Sequence, residues 1–421
     1  MAGQLLGGIA LIFVSARVLG AIARRIGLPV VVGEIAAGVL LGPTVLGRTG
    51  FSPFVPEVKP IVNLIGQLGL VLFMSMVGLQ LDLTPLRAGA RSILLITLGV
   101  AAVSIVAGVV IGGYLYKASF VPEFATSTAP SKSGFLLMVG AMLSATAFPV
   151  VARILQEMRL AGSRIGSLAI ATSAAVTLMT FLTVAVAGGL ARRDGAWELA
   201  STFFYAILFL TALFLVVRPA LVPIARASEA RGAITAPMWA CFFAVVAAGA
   251  YLAGSIGITV VVGAFLVGVV MPARSLLARE FSVRFSKPTT LILLPIFFAY
   301  SGLNTDFRSL SQDAVGGFAI FVAVGAVSNW LACLVFGLWG GLSRHEANVV
   351  GILLNCRGLM VLVVGLVALE QGIISAPLHA AGVALSLLTT AATGPLVRSF
   401  VAKFPAADPT PGPARPADVP P

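Results

Sequence analysis

Charge is scarce in this 421-residue chain. Asp, Glu, Lys and Arg together fill 10% of positions, hydrophobic residues fill 59%, and mean hydropathy is +1.06. Soluble domains carry charge at about a quarter of their positions, so a water-soluble enzyme and a disordered chain are both excluded and the protein belongs in a bilayer. Acid is scarcer than base, with 15 Asp and Glu against 27 Lys and Arg. The basic residues stand singly between apolar runs rather than in clusters, which argues against nucleic acid as a partner. Three cysteines (Cys241, Cys333, Cys356) lack CxxC spacing and are joined by only two histidines (His345, His379). That set cannot build a repeated zinc or haem motif, so no metal and no cofactor are expected. The stretch Met1 to Ala16 has no basic n-region and runs into further apolar segments; a cleaved signal peptide is not expected.

What is present is a succession of long apolar runs. A bilayer core takes about 20 helical residues, and on that scale thirteen segments stand out: 3–23, 30–47, 61–80, 92–115, 134–155, 166–190, 196–217, 237–253, 257–272, 288–303, 313–340, 347–369 and 376–400. They are continuous and rich in Gly, Ala, Leu and Val rather than alternating, so helices are predicted over a barrel. The fold class is thus an all-α polytopic membrane protein. Alternate loops should collect basic residues on the cytoplasmic side. One set of loops and flanks holds 19 of the 27, Arg24, Arg25, Arg91, Arg164, Arg231, Arg284 and Arg398 among them; the other holds seven, and Arg357 lies inside a span. The pattern puts a multi-pass protein in the cell membrane, N-terminus outside and C-terminus cytoplasmic. Residues 1–403 read as the transmembrane domain, and 404–421 (PAADPTPGPARPADVPP from Pro405) as a disordered Pro/Ala-rich cytoplasmic tail.

The runs repeat. Val30-Val31-Val32-Gly33, followed by Gly38 and Pro43, is matched by Val260-Val261-Val262-Gly263, followed by Gly268 and Pro272. Gly78-Leu79-Gln80-Leu81-Asp82 is matched by Gly302-Leu303-Asn304-Thr305-Asp306 in the same order. The offset is seven spans. Seven is odd, so matched helices cross in opposite senses, and two inverted five-helix repeats are predicted over about 30–190 and 257–400. Inverted repeats around a midplane site are a transporter architecture. The same offset pairs the fifth span, with Ser144-Ala145-Thr146-Ala147-Phe148-Pro149, with the twelfth, with Asn355-Cys356-Arg357-Gly358. The proline and the polar-plus-glycine sequence predict crossing broken helices, with Pro149 and Gly358 in structural roles.

Five stretches carry a resemblance: GLPVVVGEIAAGVLLGPTVLG (Gly27 to Gly47), LFMSMVGLQLDL (Leu72 to Leu83), SATAFPVVARILQEMRL (Ser144 to Leu160), LPIFFAYSGLNTDF (Leu294 to Phe307) and LLNCRGLM (Leu353 to Met360). In that order they resemble the cation:proton antiporter superfamily, in the branch of bacterial Kef-like and plant cation/proton exchangers, over residues 5 to 400. The resemblance implies a secondary transporter of the monovalent cation:proton antiporter type, a homodimer, and a core of spans 4–6 and 11–13 that rocks against the other helices. It also implies an acid after the first broken helix, whose place falls on Thr177, preceded by an Asn or Asp whose place falls on Val176. A lysine expected in the eleventh span falls on Asn329, and a Glu after the RGL motif on Val361. The chain departs from the family at each of these places, and its scaffold is retained without the usual coupling groups.

Candidate residues follow from these readings. Ser144, Thr146, Ser173, Thr177, Asn329, Asn355 and Arg357 form the expected ion- or substrate-binding set. Thr180 belongs to the same polar stretch, and Glu34 is expected to cap or pair. Arg357 is a charge inside a span and a functional candidate for that reason; pairing with Glu34 or with backbone carbonyls of the broken helices is its structural alternative. Half-helix N-termini without a carboxylate would leave the centre electropositive. The lipid bilayer and a transported ion or small solute are the expected partners. Two other functions stay open: a transporter or exporter of an anionic or neutral organic solute without proton coupling, and a membrane-embedded enzyme or accessory protein on the same scaffold.

Overall fold

The structure is a computed structural model. It describes residues 2–28, 30–42, 44–46, 58–79, 90–117, 120–121, 130–158, 160, 163–191, 204–205, 207–256, 259–272, 275–305 and 312–401. The tail 404–421, Asp82 and Asp306 lie outside the described residues. Among the described residues the elements are helical throughout: α1 (Ala2–Arg25), α2 (Val30–Leu41), α3 (Lys59–Leu79), α4 (Ala90–Lys117), α5 (Lys132–Ser144), α6 (Phe148–Glu157) and α7 (Arg164–Ala191). Then come α8 (Ile207–Arg231), α9 (Ala236–Ser255), α10 (Val260–Val270), α11 (Leu276–Pro288), α12 (Leu294–Leu303), α13 (Gln312–Trp339), α14 (Arg344–Leu354), α15 (Gly358–Glu370) and α16 (Ala376–Val401).

Eight of these helices are long and apolar enough to cross a bilayer alone. Val30–Leu41, Lys132–Ser144, Val260–Val270 and Met360–Glu370 are apolar but shorter, since a crossing needs about 20 residues. The outer surface suits lipid: Trp339, Leu6, Leu64, Val110 and Leu215 are 66–71% exposed. An apolar surface of that kind calls for a membrane or a partner.

Two predicted segments are corrected. The segment predicted at 196–217 is helical over Ile207–Arg231. Its end is a polar, basic turn that hydropathy reads as loop, closed where Gly232 adopts φ 62° and its N–H meets Glu229 O at 3.1 Å. The segment predicted from 288 begins at Leu276, where Ser275 accepts from Ala278 N at 3.2 Å; α11 then runs through a π turn, Thr289–Leu293, into α12. Its Arg279, Glu280 and Arg284 depress hydropathy, while its other face puts Phe281 and Phe285 against Trp239, Phe242 and Phe243.

The helices sort into two bundles. One joins α1–α3 with α8–α12, through the pairs α1/α2, α2/α12, α3/α10 and α9/α10; the other joins α4–α7 with α13–α16, through α4/α5, α4/α13, α5/α7, α13/α14 and α15/α16. Apolar side chains such as Phe181 and Phe265, 5.5 Å apart at their ring centroids, bridge them.

Glycine sets the closest approaches in the first bundle. A Cβ on Gly302 would lie 2.7 Å from Gly38 Cα, and one on Gly38 would strike the Ala299 backbone; Gly78 and Gly268 abut in the same way, a Cβ on Gly268 lying 3.0 Å from Gly78 Cα. Close backbone approach is how small residues hold helices together in lipid. Gly38→Val is therefore expected to push α2 off α12 and lower the melting temperature in detergent by at least several degrees. Gly3→Val, with open space around its Cβ, is the matched control and should leave it unchanged.

Candidate functional site

The second bundle contains two interrupted helices that meet at their gaps. The first gap, Ala145–Ala147, separates α5 from α6; the second, Asn355–Arg357, separates α14 from α15. The two strands of unwound chain are tied by Ala147 N donating to Cys356 O at 2.8 Å. Gly358, with φ 30°, sits where the gaps press together, and a Cβ there would lie 3.0 Å from Ala147 Cβ. Pro149 lies in the first turn of α6, where a helix needs no N–H; its side chain lies outside the described residues.

An interrupted helix exposes its last four carbonyls, and lipid cannot satisfy them. Here each carbonyl from Met142 to Ala145 has a donor. Arg357 Nη1 donates to Met142 O at 3.2 Å, to Leu143 O and to Ala145 O at 3.5 Å. Asn329 Nδ2 reaches Ser144 O at 3.2 Å. The rest of the guanidinium serves α13: Nε and Nη2 donate to Gly325 O at 3.1 and 2.6 Å, and Nη2 to Ser328 Oγ at 2.8 Å. Arg357 is fully buried. Of its two structural alternatives the carbonyls hold, and Glu34, buried on α2, takes no part.

Thr177 and Asn329, on which the resemblance places the family's acid and lysine, converge on Thr146. Thr177 Oγ1 donates to Thr146 O (3.2 Å) and lies near Ser173 O (2.8 Å), while Asn329 Nδ2 lies 3.2 Å from Thr146 Oγ1 and from Leu354 O. Thr146 Oγ1 donates to Leu354 O at 2.8 Å, and Ser144 Oγ lies 2.9 Å from Thr180 Oγ1. Ser104, which sequence reasoning missed, adds α4 by donating to Asn329 Oδ1 at 3.4 Å. Ser173 returns its hydroxyl to Ile170 O in its own helix, and Asn355 turns away, donating to Ala326 O at 2.5 Å. The structure thus brings Ser144, Thr146, Thr177, Asn329 and Arg357 together, with Thr180, Ser104 and Ser328, and leaves the side chains of Ser173 and Asn355 aside.

The electrostatics are one-sided. The negative C-terminal ends of α5 and α14 are met by Arg357 and Asn329, whereas no carboxylate among the described residues meets the positive N-terminal ends of α6 and α15. At the N-terminus of α15 one N–H is met by a neutral group, Gly358 N donating to Thr390 Oγ1 at 3.0 Å, while Ser386 Oγ donates to the Gly358 carbonyl at 2.7 Å.

The crossing is approached from one face. A cleft of about 550 Å³ opens between the bundles, lined by Arg24, Val30 and Val31 on one side and by Val150, Thr390 and Arg398 on the other. Thr390, on its wall, is the residue that satisfies Gly358 N. Toward the other face, at the far end of α15, the bundles are joined by Glu370, which accepts from Asn63 at 2.9 Å and from Gln67 at 3.2 Å. Ser301 and the buried His379 also face each other there, 3.5 Å apart.

Comparison with known proteins agrees with this architecture. The Na(+)/H(+) antiporter NhaS4 of Synechocystis is 30% identical over 93% of this chain and 96% of its own length. Cation/H(+) antiporter 17 of Arabidopsis thaliana is 28% identical over 92% of this chain and 47% of its own, and K(+)/H(+) antiporter 1 of Saccharomyces cerevisiae is 28% identical over 88% and 43%. The chain thus spans about half the length of the plant and yeast relatives. The sodium proton antiporter MjNhaP1 from Methanocaldococcus jannaschii superposes with a TM-score of 0.61 over 95% of this chain and 97% of that one, at 14% identity, a likeness of fold alone. The family described as "Sodium/hydrogen exchanger, transmembrane" matches residues 11–403. On that match, which takes in both interrupted helices and both bundles, this chain belongs to the sodium/hydrogen exchanger family.

Proposed function

We propose that this chain is a secondary membrane transporter of the monovalent cation:proton antiporter type, working at the crossing of its two interrupted helices. The observation that carries the reading is the convergence of Thr177 and Asn329, the places where the family's acid and lysine fall, on Thr146 in the first gap. Unwound carbonyls at such a gap coordinate dehydrated cations in transporters of this architecture, and Ser144, Thr146, Thr177 and Thr180 supply neutral oxygens here. Without an acid at Thr177, cation binding there does not displace a proton, so coupling is weak. Arg357 acts as a positioning residue that holds the first gap open in one shape.

The contacts in the first bundle support the inverted repeats over about 30–190 and 257–400. The sequence match equates Gly38 with Gly268 and Gly78 with Gly302, and the close pairs are Gly38 with Gly302 and Gly268 with Gly78. A two-fold relation exchanges one pair for the other. Thirteen crossings, an outside N-terminus, a cytoplasmic C-terminus and a homodimer complete the proposal, the orientation resting on the bias in basic residues. In that orientation the cleft is the cytoplasmic entrance.

The test is flux in liposomes containing the purified protein, with an imposed pH gradient and Na⁺, K⁺ or Li⁺ added. Cation-dependent dissipation supports the proposal. Silence toward all three from folded protein selects the second reading, carriage of an anionic or neutral organic solute. That reading is favoured by the uncompensated positive ends of α6 and α15.

A further prediction concerns the outer seam. If the second bundle moves against the first, the Glu370 contact with Asn63 and Gln67 must open each cycle. Asn63→Cys/Glu370→Cys, bridged by a short bismaleimide with a reducible disulfide in its linker, is expected to cut flux at least tenfold, with recovery on reduction. Flux unchanged by complete cross-linking would show that the seam stays closed during transport.

A further inference from the structure

Among the described residues Glu34, 6% exposed on α2, is the one buried acid. It follows Val30 by four residues and Val31 by three, which puts it on their face of the helix, about 6 Å deeper than Val30. Val30 and Val31 line the cleft between the bundles. Gly33 packs on Gly20 of α1 and Gly38 on Ala299 of α12, so the Glu34 face lies between those two contacts and turns toward α16, which α2 also meets. Across the cleft stands Thr390, whose hydroxyl serves the second gap at Gly358 N.

The carboxylate is unclaimed. Among the described residues it accepts no hydrogen bond and makes no ion pair. Arg17 of α1 is the charge that acts on it, yet the Arg17 guanidinium donates to Leu291 O at 3.2 Å instead. Neither Glu34 oxygen is among the buried polar atoms sealed without a partner, so a group the size of water reaches it. The other charges bordering this face are Arg24 of α1 and Arg398 of α16, both on the cleft wall, and α12 brings only Tyr300, which lies beside Asn304 and Glu370. An ionised carboxyl at membrane depth without a partner is costly. It therefore holds a proton or a cation.

We propose that Glu34 is a binding site at which a small monovalent cation entering from the cleft displaces a proton. The inference takes its cargo from the antiporter reading and adds the proton step that Thr177 cannot provide. The carboxylic O–H gives its proton to water in the cleft, and the cation takes its place against the carboxylate oxygens with water completing its shell. The site is neutral in both states, which is the condition for a carboxyl to stay at this depth.

The experiment uses the full chain in detergent, weakly buffered, with a pH-sensitive dye. Na⁺, K⁺ or Li⁺ should release protons where choline at equal ionic strength does not. Glu34→Gln, which keeps the shape of the protonated side chain, should cut that release at least tenfold. A second arm needs no variant to fold: dicyclohexylcarbodiimide, which attacks protonated carboxyls in apolar surroundings, should label Glu34 of the parent chain, located by peptide mass. The cations should slow the labelling at least tenfold and choline should not. No release from the parent, release undiminished in folded Glu34→Gln, or labelling indifferent to all three cations would overturn the inference. If such a parent still dissipates the pH gradient with cations in liposomes, the antiporter reading stands and its proton is carried elsewhere. Release that depends on Glu34, from a parent silent in liposomes, would overturn the antiporter reading and support the Glu34 site.

Discussion

Arg357→Ala is expected to prevent recovery of a monodisperse protein from detergent, before any question of transport arises. The change removes the donors to Met142, Leu143, Ala145 and Gly325 carbonyls and to Ser328 Oγ at once. Each buried polar group left unmet costs about 1–3 kcal/mol, and folded proteins have only about 5–15 kcal/mol in hand. Lipid offers these carbonyls no substitute donor. Arg357→Lys keeps the charge but replaces a planar fork with a point donor, so it should fold with a clearly lowered melting temperature. Size-exclusion profiles and melting curves in detergent read both outcomes. If Arg357→Ala instead folds with its melting temperature unchanged and loses flux alone, the arginine is a cargo ligand and its positioning role is wrong.

Thr177→Asp is expected to raise cation-dependent dissipation of an imposed pH gradient at least tenfold over the parent chain. The threonine hydroxyl already touches both the first gap, at Thr146 O, and the turn of α7 below it. A carboxyl there can hold either a proton or a cation but not both, which threonine cannot do near neutral pH. The sign follows: the variant should lose activity as pH falls, because the protonated form no longer attracts the cation. Asn329→Lys in the same chain puts a positive charge on α13 beside the gaps, where Asn329 now meets the Ser144 and Leu354 carbonyls, and offsets the new acid. The double variant should therefore be the more stable of the two while keeping the pH dependence. A Thr177→Asp protein that folds, binds no cation and leaves the gradient intact would show that Thr177 does not face the transport path.

The sequence carried most of the fold because hydropathy, glycine pairs and helix breakers are local signals. Continuous apolar runs of Gly, Ala, Leu and Val specify helices, eight of which among the described residues are long and apolar enough to cross a bilayer, and the breaks at Ala145–Ala147 and Asn355–Arg357 were legible from Pro149 and from a polar triplet before Gly358. The boundaries of α8 and α11 were not, because amphipathic ends with arginine depress hydropathy although the helix continues. Thr177 and Asn329 were singled out in the sequence by the resemblance and by counting from its motifs. What they touch could not.

Those contacts belong to tertiary structure. Arg357 meets Met142 across 215 positions of chain, and Thr146 meets Leu354 across 208, so no local pattern reports that the buried arginine is spent on the carbonyls of the other broken helix. The same holds for Ser104 on Asn329, for Thr390 under Gly358, for Glu370 between Asn63 and Gln67, and for Asn355, whose side chain the packing of α13 turns away from the crossing. The chemistry available at the centre, hydroxyls and carbonyls with no acid, was set by the residues present in the sequence. Which of those groups remain free to bind anything was decided by how the two interrupted helices fit together.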